Sequence, residues 1–177
     1  MKYTENDYLT YQLYTASKSP LVTKSRKKQR ILVTFTFLAF GLLFLSSDNP
    51  FLRNYFFILA VITFLAYPAY SKWRYKNHYR THIRHNYKNK FDTDAAIQFS
   101  GDVILMSDKT GESTIKVSEI EEVNEIADYI YIKISTGTSQ IIRKDESAEG
   151  GELEKAVKKL IEQKGIRHNL ELDWAWK

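Results

Sequence analysis

Residues 31–47 read ILVTFTFLAFGLLFLSS and residues 54–70 read NYFFILAVITFLAYPAY. Neither stretch contains Asp, Glu, Lys, Arg or His. A helix over either run is about 25 Å long at ~1.5 Å per residue, close to a hydrocarbon core of about 30 Å. The connection Asp48–Arg53 is short and turn-like, with Pro50 after Asn49, so the two helices are expected to be antiparallel neighbours. The fold class that follows is a membrane α-helical hairpin of two transmembrane helices joined to an α+β domain. The competing reading is a hairpin buried in a soluble core, but 177 residues supply too little protein to cover two such runs on every side.

Charge sets the orientation. Residues 1–91 carry a net +12 and residues 92–177 a net −7, within a total of +5. A basic chain raises nucleic acid as a partner. Here the cations instead bracket the apolar runs: Lys24, Arg26, Lys27, Lys28 and Arg30 before them, and seven Lys/Arg from Lys72 to Lys90 after them. By the positive-inside rule both termini are cytoplasmic, the loop is outside, and the protein belongs to the cytoplasmic (inner) membrane. Arg30 is expected to snorkel, with Asp48 at the far boundary. The absence of cysteine excludes disulfides, Cys-ligated zinc and thiol catalysis. With no ionisable group inside the runs, a self-contained transporter or channel is disfavoured. Thr34, Thr36 and Thr63 can bond back to their own helices and Gly41 permits close approach. Pro68 breaks one backbone bond and predicts a kink.

Residues 1–30 form an N-terminal helix and a basic flank. Thr4 is a plausible N-cap for a helix over Thr4–Ala16, with Asp7 in the capping-box position, although Leu9, Tyr11 and Leu13 also alternate as in a strand. Ser19-Pro20 ends this element. Residues 71–91 read as a juxtamembrane continuation of the second helix. In it Lys72, Lys76, Arg80, Arg84 and Lys88 recur every fourth residue, beside a row of Tyr75, Tyr79, Ile83 and Tyr87. Together with Trp73 and the Lys24–Arg30 cations, this surface suits anionic headgroups at about 1 kcal/mol per charge. The alternative is a solvated helix whose tyrosines pack on the following domain. His78, His82 and His85 share one face and are weak metal candidates, lacking an acid to complete a site and surrounded by cations.

Residues 92–177 change to short β-rich runs: 97–100, 103–107, 113–117, 120–126, 129–135 and 139–143. Turn residues between them, including Gly101-Asp102 and Asp108–Gly111, indicate an antiparallel meander. Leu153, Ala156, Val157, Leu160 and Ile161 make an apolar stripe on a closing helix over 151–164, stopped by Gly165. An antiparallel sheet or partial barrel plugged by this C-terminal helix buries both stripes. Trp174 and Trp176 in the tail either dock on the sheet or return to the membrane interface.

The leading T-x-x-D-Y-L-x-Y (Thr4–Tyr11), the Ser-Pro, the basic cluster, the two apolar helices and the Tyr/His/Arg-rich extension resemble the YcxB-like family of bacterial membrane proteins. Gly111–Ile115, Ser118-Glu119-Ile120 and Asp128-Tyr129-Ile130 carry the same resemblance, while Val117 stands where members often have Trp. The resemblance implies two transmembrane helices, a pleckstrin-homology-like C-terminal domain and no established enzymatic activity.

The function expected is therefore non-enzymatic: a membrane-anchored binding or scaffold protein that presents its cytoplasmic domain to a protein or lipid partner. No cofactor and no nucleic acid is expected, and a homo-oligomer is allowed. The alternatives are a membrane enzyme with an interfacial site near His78, His82, Asp92 and Asp94, or an oligomeric pore or toxin-like hairpin.

Overall fold

The structure, a computed structural model, describes residues 1–46, 49–109, 111–144 and 148–177, without the side chains of 148–150. Ser47, the Asp48 boundary position and the turn residue Thr110 lie outside the described residues. Two units make up the chain: Met1–Tyr11 with His82–Ala175, and Gln12–Thr81 with Trp176–Lys177.

Helix α1 spans Glu5–Lys18. Asp7 Oδ2 accepts from both the amide and the hydroxyl of Thr4, the latter at 2.9 Å, which closes the helix start as the sequence suggests. Ser19-Pro20 ends α1 and begins α2 at once. Pro20 sits in the first turn of α2 (Pro20–Leu43), and the Ser19 hydroxyl accepts from the Val22 amide at 3.4 Å. The basic run Lys24–Arg30 is thus part of the apolar helix itself, which at ~1.5 Å per residue is about 36 Å long. Helix α3 covers Pro50–Asn86 and continues through Pro68 without interruption.

Helices α2 and α3 are antiparallel. Phe40 and Phe44 stack on Phe56 at 5.4 and 5.6 Å, Arg30 meets Phe64, Gln29 meets Tyr67, and Arg26 meets Ser71. Small residues let the backbones approach: Ala60 is buried, and a Cβ on Gly41 would fall 2.9 Å from the Phe57 ring. The Thr36 hydroxyl bonds back to the Leu32 carbonyl at 3.0 Å, whereas the buried Thr34 hydroxyl has no hydrogen-bond partner among the described residues.

In the other unit the strands divide into two sheets rather than one. Strands β1 (Ala95–Ser100), β2 (Val103–Asp108) and β3 (Gly111–Lys116) form an antiparallel meander. Strands β4 (Ile120–Glu125), β5 (Tyr129–Ile134) and β6 (Ser139–Arg143) form a second one. Period-2 alternation sends Val123, Ile130, Ile132 and Ile142 into one core with Ile104 and Ile115 of the first sheet. Val117 is buried in that core, where Leu153, Val157 and Leu160 of α4 (Ala148–Lys164) close it. Each such fully buried side chain contributes about 1.5–3 kcal/mol.

One strand has no counterpart in the sequence expectation. Gly165, at φ +61, turns the chain out of α4, with the Ile166 amide on the Ile161 carbonyl at 3.3 Å. Strand β7 (Arg167–Leu170) then pairs parallel with β4. Polar side chains hold this edge. Glu122 takes Arg167 and, at 3.2 Å, Asn169, which also donates to Asn124 at 2.8 Å. Glu125, 4% exposed, accepts from Lys144 at 2.8 Å and lies 2.9 Å from His168 Nε2.

Burial pushes the pKa of Glu125 up, but Lys144 and His168 outweigh it and hold the carboxyl below the usual range. For Glu122, burial is likewise outweighed by Arg167, Asn124 and Lys133. A carboxylate whose folded pKa is depressed stabilises the fold above its unfolded pKa and loses that contribution as pH falls through the folded value. The unfolding midpoint should therefore hold steady at neutral pH and drop as pH falls below about 4.5. The double variant Glu122→Gln/Glu125→Gln should start lower at neutral pH and show a shallower acid decline in thermal melts.

The opposite face of the four-stranded sheet receives the beginning of the chain. The Tyr129 hydroxyl donates to Asp7 Oδ1 at 2.7 Å, Tyr11 packs on Tyr131 at 5.4 Å, and the Tyr3 hydroxyl donates to the Ile141 carbonyl. Met1 and Lys2 extend β1 at its free edge through Ala95 and Asp94. The end of α3 joins this cluster: Arg84 pairs with Glu5 at 2.7 Å, Ile83 is fully buried, and Tyr87 packs on Tyr8 at 5.1 Å.

Candidate functional site at the basic end of the hairpin

Antiparallel pairing brings the basic start of α2 beside the end of the apolar run of α3 and the first residue after it. Three polar contacts cross between the helices there. Gln29 Oε1 accepts from the Tyr67 hydroxyl at 3.1 Å, and Arg26 Nε donates to Ser71 Oγ at 3.0 Å. Arg30 Nε donates to the Phe64 carbonyl at 3.0 Å, with its guanidinium carbon 3.8 Å from the Phe64 ring centroid.

The Arg30 contact has a cause in the sequence. Residue 64 is four before Pro68, and proline has no N–H, so the Phe64 carbonyl lacks its helical partner. Arg30 supplies the missing donor. Replacing Arg30 by Gln should cost about 1.5–3 kcal/mol, the range for a hydrogen bond to a charged group. In a Pro68→Ala background that cost should shrink, because an alanine at this position restores the amide. Equilibrium denaturation of the four proteins in the cycle measures the coupling, and equal costs in both backgrounds would refute this account.

Arg26 is the centre of the site. Beyond Ser71, which is 3% exposed, its Nη2 donates to a main-chain oxygen of Lys177 at 2.8 Å. Its guanidinium lies 4.7 Å from the Trp176 ring and 5.6 Å from that of Tyr75. The Trp176 indole N–H donates to the Lys72 carbonyl at 3.1 Å, and the ring, 8% exposed, packs on Tyr75 at 6.4 Å. Trp176 thus lies among Arg26, Lys72 and Tyr75. It packs against the first half of α2 and the second half of α3.

The other predicted interfacial residues fall into two groups. Lys24, Lys27, Lys28, Lys72, Trp73, Lys76, Arg84 and Lys88 are exposed, and Arg26, Arg30 and Arg80 are half-buried. Arg84 differs from its row because Glu5 already binds it, and that hydrogen bond raises its pKa. Comparison with protein-family models, with curated proteins and with solved structures finds no match.

His78, His82 and His85 are exposed; His82 is engaged by Asn86 at its ring (3.0 Å) and its carbonyl (2.9 Å). Among the described residues no group of three or more His, Asp or Glu could hold a metal ion. Asp92 and Asp94 are exposed, and Asp94 lies 3.8 Å from Lys2. Glu125 is occupied by Lys144 and by His168 of β7. A concavity of about 220 Å³ on the three-stranded sheet is lined by small and polar groups around Leu105, such as Ala96, Gln98, Ser113 and Thr114. Sequence reasoning missed Ser71, which carries no motif. Trp176 had a visible signal, a second Trp in a short polar tail.

Proposed function

We propose that this protein is a membrane-anchored, non-enzymatic binding or scaffold protein of the cytoplasmic membrane, with both termini in the cytoplasm. One observation carries the reading: only 6% of the apolar window of α2 and 11% of that of α3 is buried. Phe35, Ile58, Val61 and Leu65 are 58–70% exposed. A core helix of a soluble protein buries such residues, and water does not accommodate a patch of this extent without a partner. A bilayer is the solvent that fits two adjacent helices whose uncharged apolar runs face outward. The cations at one shared end support the orientation.

The C-terminal unit is the part that meets a protein or lipid partner. Its sheets of three and four strands around a single helix support a pleckstrin-homology-like reading, with β7 added after the helix, and the order of parts supports membership of the YcxB-like family. The cysteine-free chain makes the anchor directly testable. A membrane-impermeant maleimide applied to intact cells should label Arg53→Cys, and should label Lys28→Cys and Lys76→Cys only after permeabilisation. Labelling of all three in intact cells, or recovery of the protein in the soluble fraction, overturns the reading.

A further inference from the structure

Strand β3 leaves one side of its sheet open. The order β1-β2-β3 places no strand beyond it, and residues 111–114 and Lys116 are exposed. The β1 edge, by contrast, is continued by Lys2 opposite Asp94, and the β6 edge takes the Tyr3 hydroxyl on the Ile141 carbonyl. The register fixes which backbone groups of β3 face out. A two-residue loop, Gly101-Asp102, joins Ser100 to its partner Val103, so that pair exchanges both hydrogen bonds. Alternation then turns Ile104 and Met106 towards their β3 partners Ile115 and Ser113. The Val117 amide continues this phase by donating to the Asp102 carbonyl at 2.9 Å. The N–H and C=O groups of Glu112, Thr114 and Lys116 therefore point away from β2, along the free edge.

An open edge is a template for another strand, and natural sheets guard it with a lysine, a proline or a bulge. Strand β3 has no proline, and its Lys116 is matched by Glu112 on the same face, with Thr114 midway between them. We propose that β3 pairs antiparallel with β3 of a second copy about a two-fold axis at Thr114, joining the two three-stranded sheets into a single continuous one. This register sets Glu112 of each copy opposite Lys116 of the other, and Thr114 opposite Thr114. Opposite charges and paired threonines are both favourable cross-strand neighbours. Among the described residues Glu112 and Lys116 have no ion-pair partner in their own chain, and across β2 they face the neutral Ser107 and Val103. The same three positions present the outward backbone groups, so the pairs supply about six inter-strand hydrogen bonds, two per pair. Strand β7, which ends the other sheet, carries Arg167 and no acid and lacks this self-complementarity. A two-fold contact uses one patch on both copies, so self-complementary charge selects a second copy over an unrelated strand. All of these residues belong to the sheet-containing unit, and the pairing does not depend on the bilayer reading.

Because the chain has no cysteine, a single introduced thiol locates the axis. The purified full chain carrying Thr114→Cys, in detergent micelles, is treated with a short bismaleimide, and covalent dimer should be the main product. Gln98→Cys, exposed on the same face of the sheet, should give little, because the two Gln98 positions then lie about 24 Å apart at ~4.8 Å per strand. In the Thr114→Cys background, Glu112→Lys or Lys116→Glu should each cut the yield about tenfold by setting like charges opposite one another. Glu112→Lys/Lys116→Glu makes the edge self-complementary again and should restore the yield. Thr114→Pro is compatible with a free edge, because the N–H it removes serves no bond to β2, and it should sediment as a monomer where the parent sediments as a dimer. Equal cross-linking at Gln98→Cys and Thr114→Cys, or a double charge reversal no better than the single ones, overturns the proposal. A parent that sediments as a monomer overturns it too. A dimer that survives Thr114→Pro and both single reversals is held by another surface and rejects the β3 pairing.

Discussion

Arginine in place of Phe35 or Ile58 is expected to lower membrane insertion by about 2.5–3.5 kcal/mol on the translocon scale. Both side chains face outward from the hairpin, at 64% and 58% exposure, so neither change disturbs a packed contact. If water covered these helices, a surface substitution of this kind would stay within about 0.5 kcal/mol. The two media therefore predict outcomes that differ several-fold in free energy. Leu21→Arg provides the control, since Leu21 is 80% exposed but lies in the first turn of α2, just ahead of the basic run that begins at Lys24, where an added cation is tolerated. Alkaline carbonate extraction of membranes reads the result. Retention of Phe35→Arg and Ile58→Arg at the level of Leu21→Arg would remove the main support for the anchor.

Asp7→Ala is expected to destabilise the sheet-containing unit by about 2–4 kcal/mol, combining loss of a helix cap with a buried donor left unpaired. Asp7 is 2% exposed and does two things at once. One carboxylate oxygen closes the start of α1 through Thr4, with the Arg143 guanidinium 3.9 Å away. The other accepts from the Tyr129 hydroxyl, whose pKa burial and the Asp7 hydrogen bond together push upward. Tyr129→Phe removes the donor without leaving it orphaned, so it should cost less than Asp7→Ala. The double variant should cost less than the two single changes added together. Chemical denaturation followed by far-UV circular dichroism measures all three, and strict additivity would show that Asp7 and Tyr129 are not coupled.

Local pattern explains which elements were legible. Strands β1 to β6 fall within two residues of their expected limits because turn residues bound them, and in β5 Tyr129, Tyr131 and Lys133 alternate with Ile130, Ile132 and Ile134. In α4 the stripe Leu153, Val157 and Leu160 at helical spacing leads directly to burial in the core. Strand β7 was missed for a physical reason. Its residues Arg167, His168, Asn169 and Leu170 have no apolar alternation, and its place beside β4 depends on charge and amide pairing with Glu122, Asn124 and Glu125. The division into two sheets was also invisible, since alternation reports which face is buried and not which strand lies next door.

The candidate site follows the same logic. The amino-acid sequence by itself determined the two uncharged apolar runs, the cations that flank them and the order of β1 to β6 and α4, because these depend on solvation and short-range periodicity. Only the tertiary structure decided that Arg30 meets the Phe64 carbonyl, that Ser71 and Trp176 close around Arg26, and that Asp7 meets Tyr129. Those contacts join residues 34 to 150 positions apart. No local spacing encodes them, because a buried donor or acceptor takes whichever partner the packed helices and sheets bring within reach.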